Sequence, residues 1–272
     1  MYMSRVLLIG DMVSACRVAL SAMAPVLTAK GHQVSLLPTA IVSNTFGYKK
    51  VAQVSTGDYV KKSLDAWEEL DFEFDAVYVG YVTEKEQAAA VIEWCRKRKE
   101  KGVLIFHDPI MGEDGHLYYG MNEEIAGFHK EILVLADYTT PSFTEAAFLT
   151  GRDYTIEDVQ GADLFGAVSD MGGMCHGSIV LTSCLSEGQW CCTCYDSTAG
   201  LKFIIPYDFI DKKVGGTGDV FSAVFMGDVL NGMEFMPAVQ HAMDTVRHLI
   251  ELSVGDTDAL RGVQLEKYRN LL

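Results

Sequence analysis

Basic residues are scarce in this chain. Its 272 residues hold 22 Lys and Arg against 37 Asp and Glu, a formal net charge of −15. That balance argues against nucleic acid or an anionic membrane surface as the main partner, and an anionic substrate would need local help from a metal ion. Long apolar runs are missing too. Nothing approaches the length of a membrane span, and the apolar stretch within residues 1–10 is too short for the core of a signal peptide. We therefore expect a cytoplasmic protein with no membrane or nucleic-acid partner. Repeats, low-complexity tracts and linkers rich in Gly, Ser or Pro are also absent. With 49% hydrophobic and 22% charged residues, the chain can bury a large core, and residues 1–272 are expected to form one domain.

Seven cysteines is an odd number, and three crowd into Trp190-Cys191-Cys192-Thr193-Cys194-Tyr195. If that run is a strand, Cys192 and Cys194 face one side and Cys191 the other, so the three cannot converge on one zinc ion. They are expected to be reduced and structural.

A Walker lysine is missing as well. The stretch Val214-Gly215-Gly216-Thr217-Gly218-Asp219-Val220-Phe221-Ser222-Ala223 has three glycines in four positions but no following Lys-Ser or Lys-Thr pair. Apolar residues at helical spacing follow (Val220, Phe221, Ala223, Val224, Met226, Val229, Leu230), so a glycine turn opens directly into a helix. Unpaired N–H groups and the positive end of the helix dipole then converge on one place, which suits a phosphate. A carboxylate there, Asp219, makes sense if it takes a proton from a substrate hydroxyl while the N–H groups hold the charge developing on a transferring phosphoryl group. An ordinary acidic helix cap is the alternative.

The rest of the chain alternates. Strands are expected at residues 5–9, 33–37, 76–79, 103–106 and 137–140. Irregular backbone is expected at 38–48, and Asp11 just past the first strand. Helices are expected from Val18 to before Gly31, then over 57–70, from a Thr83/Glu86 capping box to about 99, and over 122–135. Three more follow: from a Ser142/Glu145 capping box to Gly151, from Thr155 and Asp158 to about 172, and over 237–253. Between 178 and 205 three strands follow without helices (178–182, 189–195, 201–205). The pattern is a three-layer α/β/α fold whose mostly parallel central sheet has an antiparallel edge. In such sheets ligands lie beyond the carboxyl ends of strands. Asp108, Thr140, Glu145, Thr182 and Ser183 all follow strands, so the fold would bring them to the rim that carries residues 216–219. Taken singly each has an ordinary explanation: Asp108 a turn before Pro109, Glu145 a cap, Thr140 a strand residue.

The order Asp108-Pro109-Ile110-Met111-Gly112, then Asp137-Tyr138-Thr139-Thr140-Pro141-Ser142-Phe143-Thr144-Glu145, then Leu149-Thr150-Gly151, then Gly216-Thr217-Gly218-Asp219 resembles the vitamin B6 (pyridoxal) kinases of the ribokinase-like superfamily. Leu37-Pro38-Thr39-Ala40, Ser43-Asn44 and Gly80-Tyr81 favour the B6 branch over the hydroxymethylpyrimidine kinases. The resemblance implies ATP-dependent phosphorylation of the hydroxymethyl group of pyridoxal, pyridoxine or pyridoxamine. Asp219 would be the base, with Gly216 and Gly218 as the anion hole. Asp108, Thr140, Glu145, Thr182, Ser183 and Thr217 would lie around ATP, Mg²⁺ and a monovalent cation, K⁺ by the resemblance. Mg²⁺ would be held through Asp108, with Glu113 and Glu145 nearby, and Asp11, Ser43, Phe46 and Tyr81 would border the acceptor. A homodimer is implied.

The departures cluster on the acceptor side: Val13-Ser14-Ala15-Cys16 replaces a glycine-bearing turn, Thr45-Phe46 a His-Thr pair, and Ser142 an Asn. Two other readings therefore stay open, a kinase of hydroxymethylpyrimidine or another small alcohol, and a non-catalytic paralogue that binds ATP or a B6 vitamer.

Overall fold

The computed structural model describes residues 3–118, 121–152, 161–255 and 258–268. Two compact units emerge, one formed by Met1–Val77 with Ile210–Leu272 and the other by Tyr78–Phe209.

The first unit begins with β1 (Arg5–Val13), buried along most of its length as expected of a parallel strand covered on both faces. Helix α1 (Leu20–Ala29) follows and returns to β2 (Gln33–Val42), parallel to β1. Two sequence expectations change here. The second strand does not stop at residue 37 before irregular backbone but runs through Pro38 to Val42. The pairing explains how. Gly10 faces Pro38 and Asp11 faces Ala40, so Thr39 is an extra residue and the proline, which has no N–H, sits where the ladder is already interrupted. Asp11, for the same reason, lies inside β1 at the bulge rather than past its end. Strand β3 (Gln53–Ser55), too short to show a pattern, adds antiparallel to β2. Helix α2 (Gly57–Glu69) buries Val60 and Leu64, and β4 (Ala76–Val79) has the expected bounds. The strand order in this part is β4-β1-β2-β3.

The second unit opens with α3 (Lys85–Glu100). Its N-cap is Glu84, without a side-chain cap, so the expected Thr83/Glu86 box is not formed: Thr83 stands one residue too early. Strand β5 (Leu104–His107) leads to a small antiparallel hairpin, β6 (Gly112–Glu113) and β7 (His116–Leu117). Asn122 caps α4 (Glu123–Leu135), which precedes β8 (Tyr138–Thr139). Helix α5 (Phe143–Thr150) has the complete Ser142/Glu145 capping box and ends on a left-handed Gly151. Next comes α6 (Gly161–Gly172), whose expected start at Thr155 and Asp158 lies outside the described residues. Strands β9 (Ser178–Ser186), β10 (Gln189–Asp196) and β11 (Leu201–Pro206) complete the order β11-β10-β9-β8-β5-β4. The pairs β5–β8 and β8–β9 are parallel, whereas β9–β10 and β10–β11 form the expected antiparallel edge. Leu133, Phe143, Leu164, Met171, Ile179 and Leu181 belong to one core cluster. All seven cysteines of the chain are free and buried, and burial pushes the Cys184 thiol up to about 12, as suits inert structural thiols.

The chain then returns to the first unit with α7 (Thr217–Leu230) and α8 (Phe235–Leu252), followed by a 3₁₀ turn (Ala259–Arg261) and α9 (Leu265–Tyr268). Helix α7 is buried from Val220 through Asp228, on every face, so it is a core helix rather than an amphipathic one. A buried Lys30–Asp228 ion pair, extended by the partly exposed His241, anchors its C-terminal half. Lys30 Nζ and His241 Nδ1 each lie 2.6 Å from an oxygen of Asp228, joining the end of α1, α7 and α8. With its body fixed in this way, the glycine turn at its N-terminus is held in place. Mostly parallel strands with antiparallel edges and flanking helices make this the three-layer α/β/α fold read from the sequence.

Candidate active site

In the first unit the site is built on the start of α7. Gly216 is its N-cap with φ 81°, and a Cβ there would stand 2.4 Å from the Arg17 carbonyl oxygen, so both backbone angle and close approach require glycine. Gly218 is different: a Cβ there would meet nothing within 4 Å, so no neighbouring atom requires glycine at this position. The first backbone bond of the helix runs from Val220 N–H to the Gly216 carbonyl. The amides of Thr217, Gly218 and Asp219 precede it and have no partner within the helix. Asp219 occupies the third helical position, where its Oδ2 accepts a 2.8 Å bond from the Ala19 N–H.

Ala19 is the N-cap of α1 with φ 50°, ψ −139°, a conformation that normally belongs to glycine. This is the acceptor-side turn in which the sequence lacks the expected glycines. No side-chain pattern could have revealed that its amide serves Asp219. Burial raises the Asp219 carboxyl above its ordinary value, with the Ala19 N–H opposing. Asp11, buried at the β1 bulge, is pushed up to about 7, first by desolvation and then by the negative charge of Asp219. The structure therefore brings Asp11 together with residues 216–219. Ser43 follows β2. Its Oγ donates to Asn44 Oδ1 (2.6 Å) and accepts from Ala52 N–H (2.9 Å), so it braces the acceptor loop. Phe46, on that loop, is 38% exposed.

In the second unit Asp108 follows β5. Its N–H donates to the Val79 carbonyl, and its Oδ2 accepts a 3.2 Å bond from the Tyr78 hydroxyl. Behind it lies a buried pair the sequence did not single out as functional: His107 Nε2 and His129 Nδ1 are 3.0 Å apart, and burial lowers both imidazoles, His129 to about 3. Both rings are therefore neutral and add no positive charge beneath Asp108. Tyr81 is buried. Thr140 donates its N–H to the His107 carbonyl.

Glu145 is held by main chain. Oε1 accepts from Met111 N–H (3.0 Å), Oε2 accepts from Ser142 N–H (2.7 Å), and Gly112 N–H adds a third backbone bond. Burial nonetheless pushes its carboxyl up to about 7. Its capping box thus also ties down the loop that follows Asp108. Thr182 donates both its N–H and its hydroxyl to the Pro141 carbonyl. The pairing jumps from Cys184↔Cys191 to Leu181↔Thr193, so Thr182 and Ser183 together face Cys192. This is a β-bulge, with Ser183 at φ 57° and hydrogen-bonded to Tyr207. Glu113 is exposed on β6, and among the described residues no three His, Cys, Asp or Glu side chains gather into a metal cluster. Asp108, Glu113 and Glu145 accordingly do not form a ready-made cage.

A glycine turn with a carboxylate in the first turn of a core helix, carried on this α/β fold, defines the class of ribokinase-like small-molecule kinases. The sequence profile of the phosphomethylpyrimidine kinases matches residues 24–261, and the chain belongs to that family. It is 29% identical to a pyridoxine/pyridoxal/pyridoxamine kinase of Bordetella avium, over 80% of this chain and 74% of that protein. Among solved structures it resembles a candidate phosphomethylpyrimidine kinase of Bacteroides thetaiotaomicron crystallised with pyridoxal, with TM-score 0.92, 25% identity, and 99% and 96% of the two chains covered. It also resembles the pyridoxal kinase of Lactobacillus plantarum, with TM-score 0.89, 25% identity and 99% and 96% coverage.

Proposed function

We propose that this chain transfers the γ-phosphoryl group of ATP to the hydroxymethyl group of pyridoxal, pyridoxine or pyridoxamine. The observation that carries the reading is the Asp219 carboxylate, held by the Ala19 amide in the first turn of α7, among amides that precede the first backbone bond of the helix. Asp219 takes the proton of the acceptor hydroxyl as its oxygen attacks phosphorus, and the amides of Thr217, Gly218 and Asp219 hold the charge on the transferring group. The acceptor is bordered by Asp11, Ser43, Phe46 and Tyr81, and the nucleotide by Asp108, Thr140, Glu145, Thr182, Ser183 and Thr217. Residues 1–272 are proposed to work as a single ribokinase-like kinase domain.

Mg²⁺ keeps several waters and binds through one or two carboxylates and the phosphates themselves, so the absence of a three-carboxylate cluster among the described residues is compatible with it. Asp108, with one oxygen on the Tyr78 hydroxyl, is the residue that would hold it through water, with Glu113 as the nearest exposed carboxylate in sequence and Glu145 fixing the intervening loop. When bound, the ion neutralises phosphate charge that a chain of net charge −15 and no Walker lysine cannot. A monovalent cation, K⁺, is assigned to the same nucleotide side. Among the described residues no helix is long and apolar enough to cross a membrane, which fits the cytoplasmic placement we propose, and the working form is taken to be a homodimer.

The match to the phosphomethylpyrimidine kinases favours one second reading, in which the acceptor is hydroxymethylpyrimidine. ADP release by the purified chain, measured with ATP, Mg²⁺ and each alcohol in turn, decides between them. Turnover with the B6 vitamers is expected. Turnover with hydroxymethylpyrimidine alone would establish the second reading, and ATP binding without ADP release from any alcohol would make the chain a non-catalytic binder.

A further inference from the structure

The end of the chain is not an idle tail. After α8, residues 258–266 are stitched to three separate parts of the first unit. On one side, Arg17 N–H donates to the Arg261 carbonyl (2.8 Å), Val263 N–H donates to the Gly215 carbonyl (3.1 Å), and the Arg17 guanidinium donates to Glu266 Oε1 (2.6 Å). Gly262, at φ 84°, lies so close that a Cβ there would stand 2.3 Å from the Arg17 carbonyl oxygen, the same oxygen that crowds Gly216. On the other side the segment grips the acceptor loop. The Tyr48 hydroxyl donates to the Asp258 carboxylate, 2.9 and 2.8 Å from its two oxygens, and Thr45 Oγ1 donates to the Leu260 carbonyl (3.3 Å). The Leu260 side chain fills the space above Gly47, where a Cβ would stand 2.6 Å from Leu260 Cδ2.

We propose that residues 258–266 are a positioning element that sets the acceptor loop, residues 45–48, in register with the glycine turn carrying Asp219, and that Tyr48 and Asp258 are its acceptor-side anchor. The proposal rests on the acceptor-site reading above. Its physical basis is rigidity. The turn at Arg17 to Ala19 supplies the amide that orients Asp219, and the segment bonds that turn and the glycine turn directly. A loop fastened to the same segment is held at fixed distance from the base, the condition for an oriented hydroxyl. Neither Tyr48 nor Asp258 needs to touch the substrate. The Tyr48 hydroxyl is raised by its desolvation and then by its bond to Asp258, so it stays protonated and donates throughout the working pH range.

The test compares Tyr48→Phe, Asp258→Ala, Asp258→Asn and the double variant Tyr48→Phe/Asp258→Ala. Loss of one hydrogen bond to a charged group should raise the KM for the alcohol roughly tenfold in Tyr48→Phe and in Asp258→Ala. The KM for ATP should stay within about twofold, and the double variant should be no worse than Asp258→Ala, which removes the Tyr48 bond together with the one Asp258 accepts from Arg261 Nε. Asp258→Asn keeps an acceptor oxygen and should recover part of the loss. Equal rises in both KM values, or an unchanged alcohol KM, would overturn the proposal. A second readout needs no turnover: Lys49 and Lys50 are exposed on the loop, and trypsin should cut after them faster in Tyr48→Phe than in the unaltered chain. If the unaltered chain phosphorylates no alcohol, the functional reading falls while this cleavage still tests the anchor. Unchanged cleavage would then sink it.

Discussion

The carboxylates of the two units live in opposite circumstances. In the second unit Glu145 receives three backbone N–H bonds, and its own N–H donates a further one to Oγ of its capping partner Ser142. In the first, Asp219 receives one side-chain-to-backbone bond, from Ala19, and shares its surroundings with Asp11, a like charge. Both sites are buried enough to raise their carboxyls. The difference is in spare capacity. A carboxylate tied to three main-chain amides fixes a shape, whereas one tied to a single amide keeps more lone pairs for a substrate hydroxyl. On the proposed reading Asp219 serves the chemistry and Glu145 the architecture, even though both stand at the third position of a helix.

Asp219→Asn is the largest test of that contrast. Asn still accepts the Ala19 N–H and can end the glycine turn, but it cannot take the proton, so kcat should fall by about 10²–10⁴. The melting temperature and the dissociation constant for ATP should barely move. Loss of folding or of ATP binding with kcat preserved would make Asp219 the structural residue and erase the distinction.

Glu145→Ala should do the reverse. It strands the amides of Met111, Ser142 and Gly112, each formerly bonded to the carboxylate, and should cost about 2–4 kcal/mol of stability in denaturant unfolding. The KM for ATP should rise as the loop after Asp108 loosens. A variant of normal stability with a lost Mg²⁺ response would instead make Glu145 a direct holder of the ion.

Asp11→Asn sharpens the other half of the comparison through pH. A carboxyl raised from 3.8 to about 7 in the folded state favours the fold fully below pH 3.8, and that contribution drains away as pH rises through 7. Above pH 7 the folded protein carries a buried Asp11 charge beside Asp219. The Asn variant escapes this, and should be more stable than the unaltered chain at pH 8 by up to roughly 4 kcal/mol, with little difference at pH 4. Removing the charge also lowers the Asp219 carboxyl, so the acid limb of the kcat/KM profile should move to lower pH. An unshifted limb would mean that the two carboxylates do not sense one another.

How far these features were legible follows from what each depends on. The Ser142/Glu145 box was readable because cap and partner are three residues apart in the chain. Strand β4 was readable because four buried, mostly apolar residues run from Asp75 to the break at Gly80. The Gly216 turn announced itself by composition. What escaped depends on partners distant in sequence. Pro38 looked like a strand breaker because its compensation is a bulge opposite Gly10 and Asp11, and β3 is a strand only because β2 offers an edge. Thr83 and Glu86 have the right spacing but the helix starts at Lys85, a choice made by packing. The service of Ala19 to Asp219 spans 200 residues and uses a main-chain atom, so no residue type could encode it visibly.

Phe46 gives the smallest effect and the cleanest separation between the two units. It is 38% exposed, so truncating it leaves no internal cavity, and Phe46→Ala should change stability by no more than about 0.5 kcal/mol. Its loop is fixed by Tyr48 on one side and by Ser43 on the other, through bonds that do not involve the ring. The ring is thus carried on a rigid support with an apolar face free to cover a flat aromatic acceptor. Aromatic contacts of that kind are worth about 0.5–1.5 kcal/mol, so the KM for the alcohol should rise roughly two- to tenfold. Of the residues proposed for the nucleotide, all but Thr217 lie in the second unit, none is on the Phe46 loop, and the KM for ATP should be unchanged. A rise confined to the alcohol would place acceptor recognition on the first unit. An equal rise for ATP would mean that the ring does not serve the acceptor alone.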